Sequence, residues 1–369
     1  MERLLVKNVS SFFLFRYFSS ILLCFLTLFL TGRLGDIDFL LGFIEYGAGG
    51  TTSSVAKSIF STLGFLGNRY LIICLIAFLS TIVLFLLLKN FIDKKNINLW
   101  VVFLMSPGLL IYTNSVTKET LFIYPAILYI ILECFYLTEK NSKFADLISS
   151  FILKFFLLLL MISIRGDLTI PYIILFLLSI TFKNIFLGNL VKNFKFKSLL
   201  ITSFCLSLIV TFLVIFFKED YFIRTIVYLQ SAFRYDNLYR PDINIQFIRN
   251  PLNYFYIQYL SVFPTPMELI NKPYKVTIII DSLILFYSYS EAWQSLFRIV
   301  NPYKKTRQII AMLFIFITIV YFSLYGILGS FNLGSSQRLR TNYLPIGIIF
   351  PLIFEKIIRD KIHFTKIHS

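Results

Sequence analysis

The sequence predicts an all-α, polytopic integral membrane protein. Of its 369 residues, 57% are hydrophobic and only 15% are charged. The mean hydropathy is +0.78, more apolar than a soluble domain of this size requires. The apolar residues also come in repeated stretches that approach the roughly 20 needed to span a bilayer as a helix. Backbone groups in lipid must be satisfied within their own segment, which selects helices. The alternating ten-residue pattern of a membrane barrel is absent.

About ten spanning helices are expected, near 12–31, 70–88, 99–113, 119–137, 151–164, 168–182, 198–217, 276–297, 309–328 and 342–356. The first follows Arg3 and Lys7 in the manner of a signal peptide, but its length and the lack of a small-residue cleavage site favour an uncleaved helix. Basic residues cluster in alternate connections: Lys89, Lys94 and Lys95; Lys140 and Lys143; Lys183, Lys192, Lys195 and Lys197; Arg298, Lys304, Lys305 and Arg307; and the tail with Lys356, Arg359, Lys361 and Lys366. Placing these loops and both termini in the cytoplasm requires an even number of helices, and ten fits.

The remaining segments, 32–69, 114–118, 165–167, 218–275 and 329–341, then face outward. The first holds the Gly/Ser/Thr-rich run Gly47 to Ser54 and reads as a loop with short helical pieces. The long segment 218–275 is rich in Tyr, Asn, Arg and Pro; its part 252–266 ends in Phe263-Pro264-Thr265-Pro266 and reads as an interfacial or re-entrant helix. No fixed-period repeat is evident, and residues 1–369 read as a single membrane domain.

The net charge of +16 follows from the basic loops, so nucleic acid is not an expected partner. Cys24, Cys74, Cys134 and Cys205 all lie in apolar segments without metal-type spacing and read as small buried hydrophobes. The two histidines, His363 and His368, fall in the cytoplasmic tail, which leaves none on the outer face for acyl transfer, zinc binding or proton shuttling. No nucleotide fingerprint appears. Neither a metal nor a cofactor is expected.

This topology isolates a set of ionisable residues at the outer membrane edge: Asp36, Asp38 and Glu45 after the first helix, Lys118 and Glu119, Arg165-Gly166-Asp167, and Arg338 with Arg340. Basic residues are disfavoured in short outer loops, so each invites a functional explanation. Guanidinium forks match phosphate oxygens, and lysine adds a mobile point charge. Nearby carboxylates suit a general base for a sugar hydroxyl, or a metal bridge to phosphates. Plainer readings stand beside these. Arg338 and Arg340 snorkel to headgroups; Thr117 to Glu119 form a helix start; Arg165 and Asp167 pair across the turn; Asp36 and Asp38 belong to a solvated loop. Arg234, Arg240 and Arg249 in the long loop read as solvated surface.

Several of these motifs together resemble bacterial O-antigen and capsule polymerases of the Wzy type. They are Met105-Ser106-Pro107-Gly108 through Asn114 to Lys118-Glu119, Ile164-Arg165, Tyr259 to Pro266, and Asn332 to Arg340 ahead of Tyr343-Leu344-Pro345. The resemblance spreads over about 100 to 355 and rests on short motifs. It implies a GT-C-like membrane glycosyltransferase of the bacterial inner membrane. Such an enzyme joins undecaprenyl-diphosphate-linked oligosaccharide repeats at the periplasmic face, with a chain-length regulator protein as a further partner. By the same resemblance, Arg165, Arg338 and Arg340, assisted by Lys118, would bind the donor diphosphate and stabilise its leaving charge. Glu119, Asp36 or Asp38 would deprotonate the acceptor hydroxyl, and the tyrosines and Phe233 of the long loop would stack on sugars. The absence of an outer-face histidine leaves the base open. Two rivals remain: a glycosyltransferase using a polyprenyl-phosphate sugar, centred on Asp36 and Asp38, and a flippase for a lipid-linked oligosaccharide. The lack of repeat symmetry and the few charges noticed within helices count against the flippase.

Overall fold

The computed structural model describes residues 2–31, 54–113, 117–138, 144–187, 253–271, 275–301, 306–315, 317–318 and 333–367, and every regular element among them is helical. The predicted span 198–217, Asp36, Asp38 and most of the long loop lie outside the described residues. Among the described residues, four segments are long and apolar enough to cross a membrane: Val9–Phe29, Arg69–Leu88, Lys118–Thr138 and Leu339–Ile362. Leu168–Ser179 and Thr306–Ile315 are shorter apolar helices. The chain divides into two compact units, one of Met1–Ile173, Tyr287–Leu296 and Leu344–Ser369, the other of Ile174–Phe286 and Phe297–Tyr343.

In the first unit, α1 (Glu2–Thr31) is apolar nearly all round. Val9, Phe13, Arg16, Ser20, Cys24 and Leu28 form its buried seam at helical spacing, whereas Phe15, Phe18, Leu22 and Phe29 stay exposed. A helix with apolar residues on its exposed face as well suits a lipid surrounding. α2 (Ser54–Ser61) and a 3-10 turn (Gly64–Leu66) follow as short pieces, in line with the sequence reading of 32–69. Gly67 closes that turn at φ 62°, a left-handed conformation that glycine adopts without strain. Asn68 then caps α3 (Arg69–Leu88), its Oδ1 accepting from the Tyr70 and Leu71 N–H groups at 2.9 and 3.2 Å. α3 runs antiparallel to α1, with edge-on ring contacts at Phe13–Phe85, Tyr17–Phe78 and Phe25–Tyr70.

The predicted span 99–113 is not one helix. It divides into α4 (Ile97–Leu104) and α5 (Pro107–Tyr112), because proline occupies the first turn of α5 and forces Ser106 into extended backbone at ψ 136°. α6 (Lys118–Thr138) matches the predicted 119–137. α7 (Phe144–Leu187) is helical on both sides of Arg165, whose φ of −151° and ψ of 82° break it.

Side-chain contacts show that this break is a hairpin. Lys154 meets Glu133 and Arg165 meets Glu119, so the first arm runs antiparallel to α6. Beyond Arg165 the chain turns back, because the Tyr172 ring lies 5.7 Å from Phe122 and 5.9 Å from Tyr129. The Tyr129 hydroxyl also donates to the Tyr172 carbonyl at 3.3 Å. The tight turn expected at 165–167 is therefore present, between two helical arms.

The second unit holds α8 (Tyr254–Val262), α9 (Pro266–Asn271), the first part of α10 (Val276–Val300), α11 (Thr306–Ile315) and α12 (Leu333–Leu344). Part of the 252–266 segment is helical, as α8, which stops before Phe263-Pro264. Thr265 and Glu268 form a reciprocal capping box at the start of α9. The outer segment expected at 329–341 is helical from Leu333, as α12, and it leads through a π-helical segment (Pro345–Ile349) into α13 (Phe350–Ile367).

Two prolines bracket the π segment, Pro345 at its start and Pro351 just beyond its end, and neither has an N–H to donate. In α-helical register the Gly347 carbonyl would accept from residue 351, which is proline and has no N–H. The Trp293 indole N–H supplies the missing donor, at 2.8 Å. Trp293 is 2% exposed and packs on Phe350.

The two ends of the first unit differ in chemistry. At one end, the connection after α3 is tied to α13: Arg359 pairs with Asp93, and Lys95 lies 3.3 Å from buried Glu355. Lys361 donates to the Thr138 carbonyl at the end of α6, at 2.8 Å. At the other end, Leu28, Phe60 and Ile72 form an apolar cluster with Phe25, Ile111 and Leu121. Lys118, Glu119 and Arg165 belong to this second end.

Trp293→Phe leaves a buried carbonyl without its donor, at an expected cost of about 1–3 kcal/mol, measured by thermal unfolding of the detergent-solubilised protein. In a Pro351→Ala background, where a backbone N–H becomes available, the same substitution should cost measurably less.

Candidate functional site

The start of α6 is built by hydroxyls. The Thr117 hydroxyl oxygen accepts from the Thr120 N–H at 3.3 Å, an N-cap bond that fixes where the helix begins. The Thr120 hydroxyl donates to the Tyr112 carbonyl at 2.9 Å, and the Tyr124 hydroxyl to the Thr113 carbonyl at 2.9 Å. The C-terminal carbonyls of α5 are thus tied to the first two turns of α6. Arg16 anchors the same region from α1, donating from Nε to the Leu104 carbonyl at 3.1 Å and from Nη2 to the Thr113 hydroxyl at 2.9 Å. It is fully buried and satisfies the end of α4 that Pro107 cuts short.

On this base sit Lys118, 7% exposed, and Glu119, with no exposed surface. Arg165, at the hairpin tip, places Nη1 3.3 Å from Glu119 Oε1 and keeps 20% of its side chain exposed. The Thr169 hydroxyl donates back to the Arg165 carbonyl at 2.9 Å, which fastens the tip from the second arm. A carboxylate in the first turn of α6 is also favoured by the helix dipole. The structure therefore brings two of the predicted residues together, Glu119 and Arg165, with Lys118 next to Glu119 in the chain. The arrangement presents a partly exposed guanidinium whose orientation is fixed by a buried carboxylate, a form suited to gripping an anion.

The other predicted residues are placed differently. Arg340 belongs to the second unit, where its Nη1 donates to the Ser282 hydroxyl. Ser282 in turn bonds the Val262 carbonyl at 2.8 Å and the Ile278 carbonyl at 2.7 Å. Arg338 lies on the same helix, two positions earlier, about 200° around the axis. Asp36 and Asp38 lie outside the described residues. Among the described residues, no group of three or more His, Cys, Asp or Glu side chains is gathered as a metal site would need.

Sequence reasoning passed over several buried charges. Besides Arg16, these are the Glu133–Lys154 pair, Asp281, and Lys275 with its partner Glu268 at 3.0 Å. Each of Arg16, Glu133, Lys154 and Asp281 is a single ionisable residue within an apolar run, and that pattern was a readable signal. Charges are therefore not rare inside these helices, contrary to the expectation used against a flippase.

Among the described residues, fold and site together define an all-helical protein with helices long and apolar enough to cross a membrane and a charged hairpin tip at one end of its first unit. No family model, curated protein or solved structure matches the chain.

Arg165→Met removes the cation that pairs with the buried Glu119 carboxylate. The expected loss is about 3 kcal/mol, the low end for a buried pair because Arg165 is partly exposed. Glu119→Gln in the same chain should recover most of it in thermal unfolding; no recovery would mean that the two side chains do not depend on each other.

Proposed function

We propose that this protein is a polymerase that joins undecaprenyl-diphosphate-linked oligosaccharide repeats at the periplasmic face of a bacterial inner membrane, in O-antigen or capsular polysaccharide synthesis. The observation that carries the reading is the Glu119–Arg165 pair beside Lys118. It lies at the end of its unit away from the Lys95, Lys356, Arg359 and Lys361 cluster. With that cluster in the cytoplasm, as positive-inside topology prefers, the hairpin tip faces the periplasm. Ten spans, cytoplasmic termini and a GT-C-like fold complete the proposal, with a chain-length regulator as a partner.

The chemistry is a displacement at the anomeric carbon of the donor's reducing-end sugar. The acceptor hydroxyl oxygen forms the new bond, the bond to diphosphate breaks, and undecaprenyl diphosphate leaves with the electron pair. Arg165, Arg338, Arg340 and Lys118 are the cations proposed to meet that diphosphate charge. The hydroxyl proton passes to a carboxylate, for which Glu119, Asp36 and Asp38 are the candidates.

One observation favours a transport reading: the Glu133–Lys154 pair lies inside the apolar part of its helices, where charges often mark a pathway. A gene-deletion strain separates the two. Surface glycans reduced to one repeat unit support the polymerase, whereas lipid-linked repeats accumulating on the cytoplasmic face support a flippase. In a purified assay, Arg165→Lys keeps the charge but loses the planar fork and should lower polymer formation at least about tenfold, and Arg340→Ala should lower it about 10²-fold. Full activity in both variants would sink the diphosphate assignment. Cysteine introduced at Ser336 should react with an impermeant thiol reagent from the periplasm, and at Lys305 it should not; the reverse pattern would invert the proposed topology.

A further inference from the structure

The Glu133–Lys154 pair has no counterpart in the chemistry proposed for the hairpin tip. Lys154 Nζ lies 3.1 Å from Glu133 Oε2, and neither side chain has any exposed surface. The ammonium also sits 3.7 Å from the centre of the Tyr136 ring, which gives it a cation–π partner on the same helix as the carboxylate. Around it the first arm of α7 is apolar: Phe151, Ile152, Leu153, Phe155 and Phe156 are exposed, and Leu157 and Leu158 are buried.

Apolar packing of that kind has little register preference of its own, since one leucine-rich turn replaces another. A buried ion pair behaves differently. It is seldom better for stability than well-packed neutral residues, yet separating its members strands two charges in an apolar interior. Glu133 and Glu119 lie on α6 about 21 Å apart at the helical rise, and Lys154 and Arg165 lie on the facing arm about 16 Å apart. Both pairs thus join the same two helices, so a slide of the arm by one turn, about 5.4 Å, would open both at once.

We infer that Glu133 and Lys154 are positioning residues: their pair sets the register of the α7 hairpin on α6 and thereby delivers Arg165 to Glu119. The inference rests on these distances and not on the reaction assigned to the tip. It places control of the tip deep within the apolar part of α6, about 21 Å along the helix from Glu119.

The test measures register without relying on activity. In a chain with its four native cysteines replaced, Phe122→Cys and Tyr172→Cys report the returning arm, because the two native rings are in contact. Dibromobimane, which fluoresces only after bridging two thiols, is the probe, applied to full-length protein in liposomes. The neutral pair Glu133→Gln/Lys154→Met should keep the thermal midpoint while bridging falls about tenfold, equivalent to about 1.4 kcal/mol in the population of the correct register. The charge-swapped pair Glu133→Lys/Lys154→Glu should restore bridging. Unchanged bridging in the neutral pair overturns the inference, as does a swapped pair that bridges no better than the neutral one. A neutral pair that lowers the thermal midpoint together with bridging also overturns it, because the ion pair would then be serving stability and not register.

Discussion

Glu119 has no exposed surface, and a carboxylate in such a place requires an opposite charge at hydrogen-bonding distance. Arg165 meets that requirement only because the chain breaks its helix there and turns back. The break in turn needs both arms held, one by Lys154 on Glu133 and the other by Tyr172 against Phe122 and Tyr129. The hairpin, the capped start of α6 and the exposed part of the guanidinium therefore follow from one buried acid and its partner.

A second constraint acts on the backbone. Prolines 107 and 351 interrupt segments that are otherwise apolar, and the helix end at one and the lost bond at the other leave carbonyls that lipid cannot satisfy. The fold answers with side chains from neighbouring helices. Arg16 reaches from α1 to the Leu104 carbonyl, and Trp293 reaches from α10 to the Gly347 carbonyl. Two of the largest buried polar side chains thus serve as surrogate backbone donors. That use accounts for a guanidinium in the middle of the first apolar segment without any ligand.

Much of this was legible in the sequence, because it depended on local chemistry. Thr117 ahead of Lys118-Glu119 marks a helix start, and Arg165-Gly166-Asp167 between apolar runs marks a turn; both are present. The break at Ser106-Pro107 was hidden, since hydropathy continues smoothly across it and only the restriction on the residue before proline reveals it. The outer segment 329–341 misled for the opposite reason: it read as a loop between two apolar runs, yet the chain is helical from Leu333 and continues into α13. The pairings of Arg16, Glu133 and Lys154 join residues far apart in the chain. A lone charge in an apolar run announces that a partner is needed but does not say which.

In the second unit the membrane character rests on pattern more than on length. The outward stripe of α10, Val276, Ile280, Leu283 and Phe286, is apolar and exposed, whereas Lys275, Asp281, Ser282 and Ser288 are buried. This reverses the amphipathicity of a helix in water, where the exposed stripe is polar. A helix so arranged is stable where the outer medium is hydrocarbon, and its polar stripe must then be satisfied from within. Arg340 on Ser282 and Lys275 on Glu268 do so. Arg340 is thereby tied to the polar stripe of α10, and any anion chemistry on its part begins from that contact.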